Sequence, residues 1–530
     1  MKRVLVHCML VLLAAAPAVA FARPPIDSLP DMGLGADNAM SIDQGIAVGQ
    51  SMVDQMRQKD QVLDDPLLDS YLNNLGFQLV SHSQGASWHF KFLWVGKSDV
   101  NAFAMPGGFV GVNEGLILAT HDESELAAVL AHEISHVTQR HIAQQMEDSR
   151  RTGLATAAAV GAALLAGLAG GGNPYLAQAA ISGGLAGAYQ HQVNYTYHDE
   201  EQADRIGESL LAQSGFNPDA MATFFQRLQQ QEQYNEGPYS NFLRTHPVTT
   251  KRIANAENIA RQYPQIHPKP DASYYIARAR VRVLAADDPS DSARYFKARL
   301  GNTKGIQHDA ARYGYALSLG REGDTARAMK LLDELRSQHP DTLAYRLALA
   351  NVQNQAGQTN ASMHTYQSAL DLYPDNRAVI EGYAEVLLQT GRPQRARSLL
   401  LRLPLDSSET TRQLRLLAQA ATAMGDEADS HYYMSEYYLI CGQPHMALQQ
   451  LEIGLHSGHL SSFQRQRLVS RRKEIRTAMT RAGVSPTAAG DGRGGESGRG
   501  DGDGQFVSKS GAEFGFAGGF PPLFPMPPRR

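Results

Sequence analysis

His132-Glu133-Ile134-Ser135-His136 places two imidazoles and a carboxylate within five residues. On a helix, residues four apart are rotated by only ~40°, so both imidazoles project from one side toward a single point. Two neutral imidazoles facing one point suit a zinc ion, and Glu133, beside the first of them, reaches a water held on that ion. Three protein ligands would leave a fourth zinc position open, where the metal lowers the pKa of water toward ~7. The glutamate takes the proton while the water attacks a carbonyl, then delivers it to the leaving amine. That chemistry is the hydrolysis of a peptide bond. The pattern arises by chance roughly 0.03 times in a chain of this length, so it needs support from its surroundings. Without that support it reads as a solvated helix face carrying two incidental histidines.

A third ligand must come from elsewhere. His198-Asp199-Glu200-Glu201-Gln202-Ala203-Asp204 reads as a second helix, with Glu200 and Asp204 four apart on one face. One of the two can bind zinc while the other hydrogen-bonds a ligand imidazole. Taken alone, such an acidic cluster is a solvated face, and only the missing ligand gives it a role. His141, five residues past His136, points well away on a continuous helix and reads as structural.

The elements around the motif follow from local patterns. A capping box at Thr120-His121-Asp122-Glu123 predicts a helix running to about Met146, with Leu126, Val129, Leu130, Ile134 and Val137 as its apolar stripe. Ile42 to Gln58 and Leu67 to Ser81 look helical, and His89 to Val95 looks like a strand. Asn101 to Leu118 holds two more candidate strands, broken at Pro106-Gly107-Gly108. Residues 40–260 thus read as one mixed domain. Within it, Leu154 to Ala169 is uncharged and rich in Ala and Gly, but shorter and less apolar than a membrane-spanning helix. It reads as a close-packed internal helix pair, with a lid over the site or a peripheral membrane contact as the alternatives.

The compartment is read from the first residues. Lys2 and Arg3, the apolar run from Val4 to Ala16, and Ala18-Val19-Ala20 or Ala20-Phe21-Ala22 form a cleavable secretory signal over residues 1–22. Cys8 precedes most of the apolar run, which is the wrong place for a lipid-bearing cysteine. Cleavage leaves Cys441 alone, which excludes both an internal disulfide and zinc held by cysteines. The net charge of −4 provides no basic field for nucleic acid.

Beyond the mixed domain the chain repeats. Gly323, Gly357, Gly391 and Gly425 are 34 residues apart, and Ala316, Ala350, Ala384 and Ala418 keep the same interval, as do Pro340 and Pro374. A 34-residue period is the tetratricopeptide signature, a helix–turn–helix unit stacked on its neighbours. The glycine turns between helices, the alanine lets them approach, and the proline separates units. Irregular pairs at 272–300 and 430–458 are expected to cap an array over residues 270–460. Residues 485–530 turn to Gly, Asp, Ser and Pro and read as a disordered tail.

HEISH followed by Glu200-x-x-Ala203-Asp204 resembles the M48 metallopeptidases. Asn101-Ala102-Phe103-Ala104-Met105-Pro106-Gly107-Gly108 is similar to the strand and turn that one bacterial branch has before its catalytic helix. Thr245-His246-Pro247 with Arg252 resembles that branch's segment after the third ligand. Tyr197 and Gln202 depart from the family, which often has Arg and Glu there. The resemblance implies a mainly α protein: an α+β zincin-like domain with a small sheet, then an α-helical tetratricopeptide solenoid. It implies one zinc ion held by His132, His136 and Glu200, with Glu133 as general base and Asp204 behind a ligand histidine. It also places His246 near the zinc site on a loop stiffened by Pro247, where it would close the open fourth position; otherwise His246 is a surface or capping histidine. Substrate is expected to add as a strand along Asn101, Ala102, Phe103 and Ala104. By the same resemblance the protein works in the periplasm on unfolded or stalled outer-membrane proteins, with the repeats turned toward the barrel assembly machinery. The rival expectation is a tetratricopeptide chaperone or adaptor whose proteolysis is secondary.

Overall fold

The computed structural model describes residues 40–83, 88–148, 197–232, 240–405, 410–458, 460–481 and 484–485. The expected signal, Leu154 to Ala169, and the tail from residue 486 lie outside the described residues. No helix among the described residues is long and apolar enough to cross a membrane.

Helix α1 (Ile42–Gln58) is opened by a capping box between Ser41 and Gln44, and α2 (Pro66–Val80) by Asp65, whose side chain accepts from the amides of Leu67 and Leu68. Three short strands follow: β1 (Lys91–Val95), β2 (Ala102–Met105) and β3 (Phe109–Asn113). Their order is β1-β3-β2, with β1 parallel and β2 antiparallel to β3. The turn between β2 and β3 needs its glycines. Gly107 and Gly108 have φ of 76° and 86°, and a Cβ on Gly108 would lie 1.7 Å from the carbonyl oxygen of His89.

Two local expectations are corrected after β3. The strand read as far as Leu118 stops at Asn113, and Glu114–Ala119 forms a short helix, α3. The run Leu116-Ile117-Leu118 is apolar without a period, and such a run looks the same in a strand or a buried helix. The helix of the HEISH motif, α4 (Glu123–Thr138), is capped by Asp122 instead of Thr120. Asp122 accepts from the Glu125 amide at 3.1 Å, and Glu125 reaches back to the His121 amide at 2.6 Å. Thr120 is buried, and its hydroxyl meets the Ile117 carbonyl and the Tyr274 hydroxyl instead.

Helix α4 does not run on to Met146. It ends at Thr138, Arg140 takes a φ of 58°, and a new helix covers 141–148. A left-handed arginine is uncommon, and here it ends one helix and lets His141 turn back to meet His136. The acidic segment lies on helix α5 (197–213), followed by α6 (Ala220–Glu232), a short helix at Ser240–Thr245, and α7 (Thr250–Ala260). Leu126, Leu130 and Ile134 of α4 share one core with Trp94 of β1, Leu211 of α5, Phe224 of α6 and Phe242. The motif helix is therefore held from several sides.

The repeats are helix pairs. Gly323, Gly357, Gly391 and Gly425 all lie at positive φ, 88°, 74°, 69° and 74°, in the turns where the period places them. Ala316, Ala350, Ala384 and Ala418 are buried between helices. The pairs run on to helix Ser462–Arg481, past the end expected near residue 458.

The two regions are joined at the start of the array and again nearer its far end. Helix α8 (Ala272–Leu284) sends Tyr274, Ala277 and Val281 into the core around α4. Arg280 makes a bidentate pair with Asp65, with contacts of 2.6 to 3.0 Å. Breaking one side of such a buried pair costs about 3–5 kcal/mol. Farther along, Thr411 donates to Asp64 at 2.8 Å, and Gln58 donates to the Gly442 carbonyl at 3.0 Å. The solenoid curves back onto the domain from which it departs.

Candidate active site

Four turns of α4 lie between its cap and His136, and the wall of apolar contacts leaves the ring of His132 buried and that of His136 nearly so. Their Nε2 atoms stand 3.0 Å apart, as the spacing predicts. Glu200 on α5 faces both, with an oxygen 3.4 Å from each Nε2. His246, just past the short helix Ser240–Thr245, brings Nδ1 to 3.1 Å from Glu200 and 3.3 Å from His132 Nε2. One donor atom from each of these four residues falls within a sphere where all lie within 4.8 Å of one another. Three imidazoles and one carboxylate converging this closely form a donor set that fits a divalent ion of the zinc type.

Behind the donors is a layer that fixes their orientation. Asp204 Oδ1 lies 3.0 Å from His132 Nδ1 and is itself gripped by Arg252, at 2.7 Å through both Nε and Nη2. Arg252 also reaches Glu200 at 2.8 Å and the Pro247 carbonyl at 2.8 Å. One buried guanidinium thus ties together α5, α7 and the loop carrying His246. His141 is the residue that local pattern misplaced. The break at Arg140 turns it back, so its Nδ1 lies 2.8 Å from His136 Nδ1, and Gln202 holds its other nitrogen at 3.1 Å. Helical phase sent it away from the site because nothing in the sequence marks Arg140 as left-handed. Gln202, where the family often has Glu, is hydrogen-bonded to His141 and to Gln139. Tyr197 is largely exposed.

Glu133 stands between the donors and the sheet. Its Oε2 accepts from the Ala104 amide at 2.9 Å, while Oε1 is buried without a hydrogen-bond partner, 3.5 Å from His246 Nε2. Of the four edge residues, Ala102, Phe103 and Ala104 lie on β2, an outer strand of the sheet, and Asn101 directly precedes it. The Ala104 amide faces away from β3, and backbone groups alternate along a strand, so Ala102 faces outward too. Asn101 turns inward, its carbonyl accepting from the Asn113 amide at 3.0 Å.

The charges are arranged to hold a cation. Burial pushes His136 down to about 3, against the pull of Glu200, so its ring is neutral and free to donate a lone pair. Burial acts the same way on His132, but hydrogen bonds to Asp204 and Glu200 outweigh it and raise the ring to about 10. Those carboxylates favour positive charge at that spot, a condition that a metal ion also meets. Burial raises Glu133 above the usual carboxylate range, against the charges of His246 and His132. Glu200 and Asp204 go the other way despite burial, held down by the neighbouring histidines and by Arg252 respectively.

Comparison with known proteins agrees with this geometry. The description "Peptidase family M48" matches residues 66–260, and tetratricopeptide repeats match residues 309–352 and 353–420. The beta-barrel assembly-enhancing protease of Escherichia coli (strain K12) is 33% identical over 464 residues, covering 86% of this chain and 92% of its own. This chain belongs to peptidase family M48. The putative beta-barrel assembly-enhancing protease of Vibrio cholerae serotype O1 is 35% identical over 425 residues, 80% of this chain and 86% of its own. A shorter match, 33% over 154 residues, links the M48 region to metalloprotease LoiP of Escherichia coli (strain K12), covering 29% of this chain and 56% of that protein. The present M48 peptidase is a metallopeptidase fused to tetratricopeptide repeats.

Proposed function

We propose that this M48 peptidase is a zinc-dependent endopeptidase of the periplasm that acts on misfolded or stalled outer-membrane proteins. The observation that carries the reading is Glu133, which has one oxygen fixed by the edge strand and the other bare, 3.5 Å from His246, one of the four converging donors. His132, His136 and Glu200 would hold the zinc ion, which supplies Lewis-acid activation of water and of the scissile carbonyl. The chain's own residues do the rest. Asp204 and Arg252 lock the His132 ring, and His141 sets that of His136. Ala102, with its outward backbone, and the Ala104 carbonyl, whose own amide is held by Glu133, would pair with an extended substrate and bring its carbonyl beside Glu133. Oε1 of Glu133 takes a proton and returns it to the leaving amine, and its raised pKa makes it the stronger base.

Client class and compartment are supported by the names of the relatives and by the expected signal over residues 1–22. The repeats would present such clients, or the barrel assembly machinery, to the peptidase. Chelation should abolish cleavage of an unfolded outer-membrane protein by the purified chain, and one equivalent of zinc should restore it. Undiminished cleavage by the metal-free chain would sink the proposal.

His246 would act as a gate. Its Nδ1 already lies among the donors, and a fourth protein ligand would fill the position a zinc-bound water needs. His246→Ala should therefore bind zinc and cleave a synthetic peptide severalfold faster than the parent. Equal or slower cleavage at unchanged zinc occupancy would count against gating.

A further inference from the structure

A second concentration of charge lies away from the zinc site. Arg278 and Arg282 of α8 and Arg299 of helix Pro289–Leu300 border one cleft of about 340 Å³ at the start of the repeat array. Among the described residues, none of the three pairs with a carboxylate. Arg278 spends its hydrogen bonds on the carbonyls of Ile117 and Leu118, at 3.2 and 3.0 Å. Arg282 and Arg299 instead crowd one ring, with guanidinium carbons 4.0 and 4.7 Å from the centroid of Tyr295. Burial draws the Arg282 guanidinium below its ordinary value; Tyr295 opposes this, and the charges of Arg278 and Arg299 reinforce it.

Several other arginines of the repeats are answered by acids, while Arg346 bonds to Ser368 and the Pro340 carbonyl and Arg395 to Gln367. Arg312 meets Glu334, Arg412 meets Glu385, Arg471 meets Glu436, and Arg472 meets Glu452. Like charges gathered without a counterion repel, and the chain as a whole, at −4, has no excess of cations to scatter. The missing partner is therefore sought outside the chain.

We infer that this cleft binds an acidic segment of a polypeptide, its carboxylates held by Arg282 and Arg299 and its chain laid against Tyr275. Planar guanidinium forks match carboxylates in two-point contacts, and the Tyr295 ring they both contact holds the two forks close together. The floor of Ala279, Phe296 and Ala311 is apolar, which suits a peptide better than a small inorganic anion. The position gives the cleft its use. His121, at its rim, directly precedes the cap of α4, and Glu123 to His132 spans about 14 Å at ~1.5 Å per residue. A polypeptide anchored here starts beside the cap of the helix that carries the candidate metal ligands, and none of those ligands lines the cleft.

The test uses the full-length chain and a fluorescent ten-residue peptide rich in Asp and Glu, followed by anisotropy, with mass spectrometry confirming that it stays intact. The peptide should bind at least tenfold tighter than its Asn/Gln twin. Arg282→Gln combined with Arg299→Gln should weaken it about tenfold or more, with circular dichroism and zinc content unchanged. Should the double variant misfold, Arg299→Gln alone, an exposed side chain, should still weaken binding severalfold. Equal affinity for the neutral twin, or unchanged affinity in folded variants, would overturn the inference. So would inorganic phosphate binding at this cleft in a chain that ignores the peptide. Failure here leaves the zinc reading untouched, since zinc content and peptide cleavage are measured separately.

Discussion

Glu133→Gln is expected to keep its zinc and lose cleavage by a factor of ~10²–10⁴ or more, the usual contribution of a positioned general base. The amide has the same shape, and its oxygen can still accept from the Ala104 amide, 2.9 Å from Oε2 in the native chain. What disappears is the bare carboxylate oxygen Oε1 beside His246, on a carboxyl whose pKa burial raises. Because His132, His136 and Glu200 are untouched, metal content is the internal control. Cleavage near the parent's rate by a zinc-loaded Glu133→Gln chain would rule out the proposed role. The same variant separates the two readings of the protein. A chaperone or adaptor whose proteolysis is secondary would still promote assembly of outer-membrane proteins after this change, whereas a peptidase whose cutting matters would not.

The paired change His132→Ala with His136→Ala should reduce zinc from one equivalent to a trace. Two of three proposed ligands vanish, and Glu200 with His246 cannot complete a tetrahedral site. The loss should extend beyond the metal. Without the His132 ring, Asp204 keeps only Arg252, and His141 loses its partner on α4. Thermal stability of the chain should no longer respond to added zinc, since a ligand stabilises only the state that binds it. Stoichiometric zinc by elemental analysis in this variant would refute the assignment.

The parts of the fold and of the site that are legible in sequence are those governed by short-range geometry. His132 and His136 were placed by helical pitch, and Gly323 to Gly425 by a repeat whose turns need positive φ. Glu200 and Asp204 needed the demand for a third ligand, and then the family resemblance, to rise above a solvated helix face. His141 went astray because one backbone angle at Arg140 reverses its direction, and arginine carries no local mark of that conformation. Arg252 was visible as part of a family segment, but its grip on Asp204 and Glu200 is a contact between helices some fifty residues apart, beyond any local window. The cap of α4 was misplaced by two residues because Thr120 and Asp122 are both good caps, and burial of Thr120 against Tyr274 decided between them.

The shared helix α8 has a practical consequence for anyone dividing the chain. The family match stops at residue 260, which invites a cut in the segment before Ala272. Such a cut would strip Tyr274, Ala277 and Val281 from the catalytic core and leave Asp65 facing an empty socket where Arg280 had been. A peptidase piece is therefore expected to need the chain at least through Leu284, and by the same token a repeat array expressed without that helix would begin with an uncovered apolar flank. The seam between chemistry and recruitment runs through the middle of a helix pair, so neither module can be exchanged between relatives without carrying part of the other.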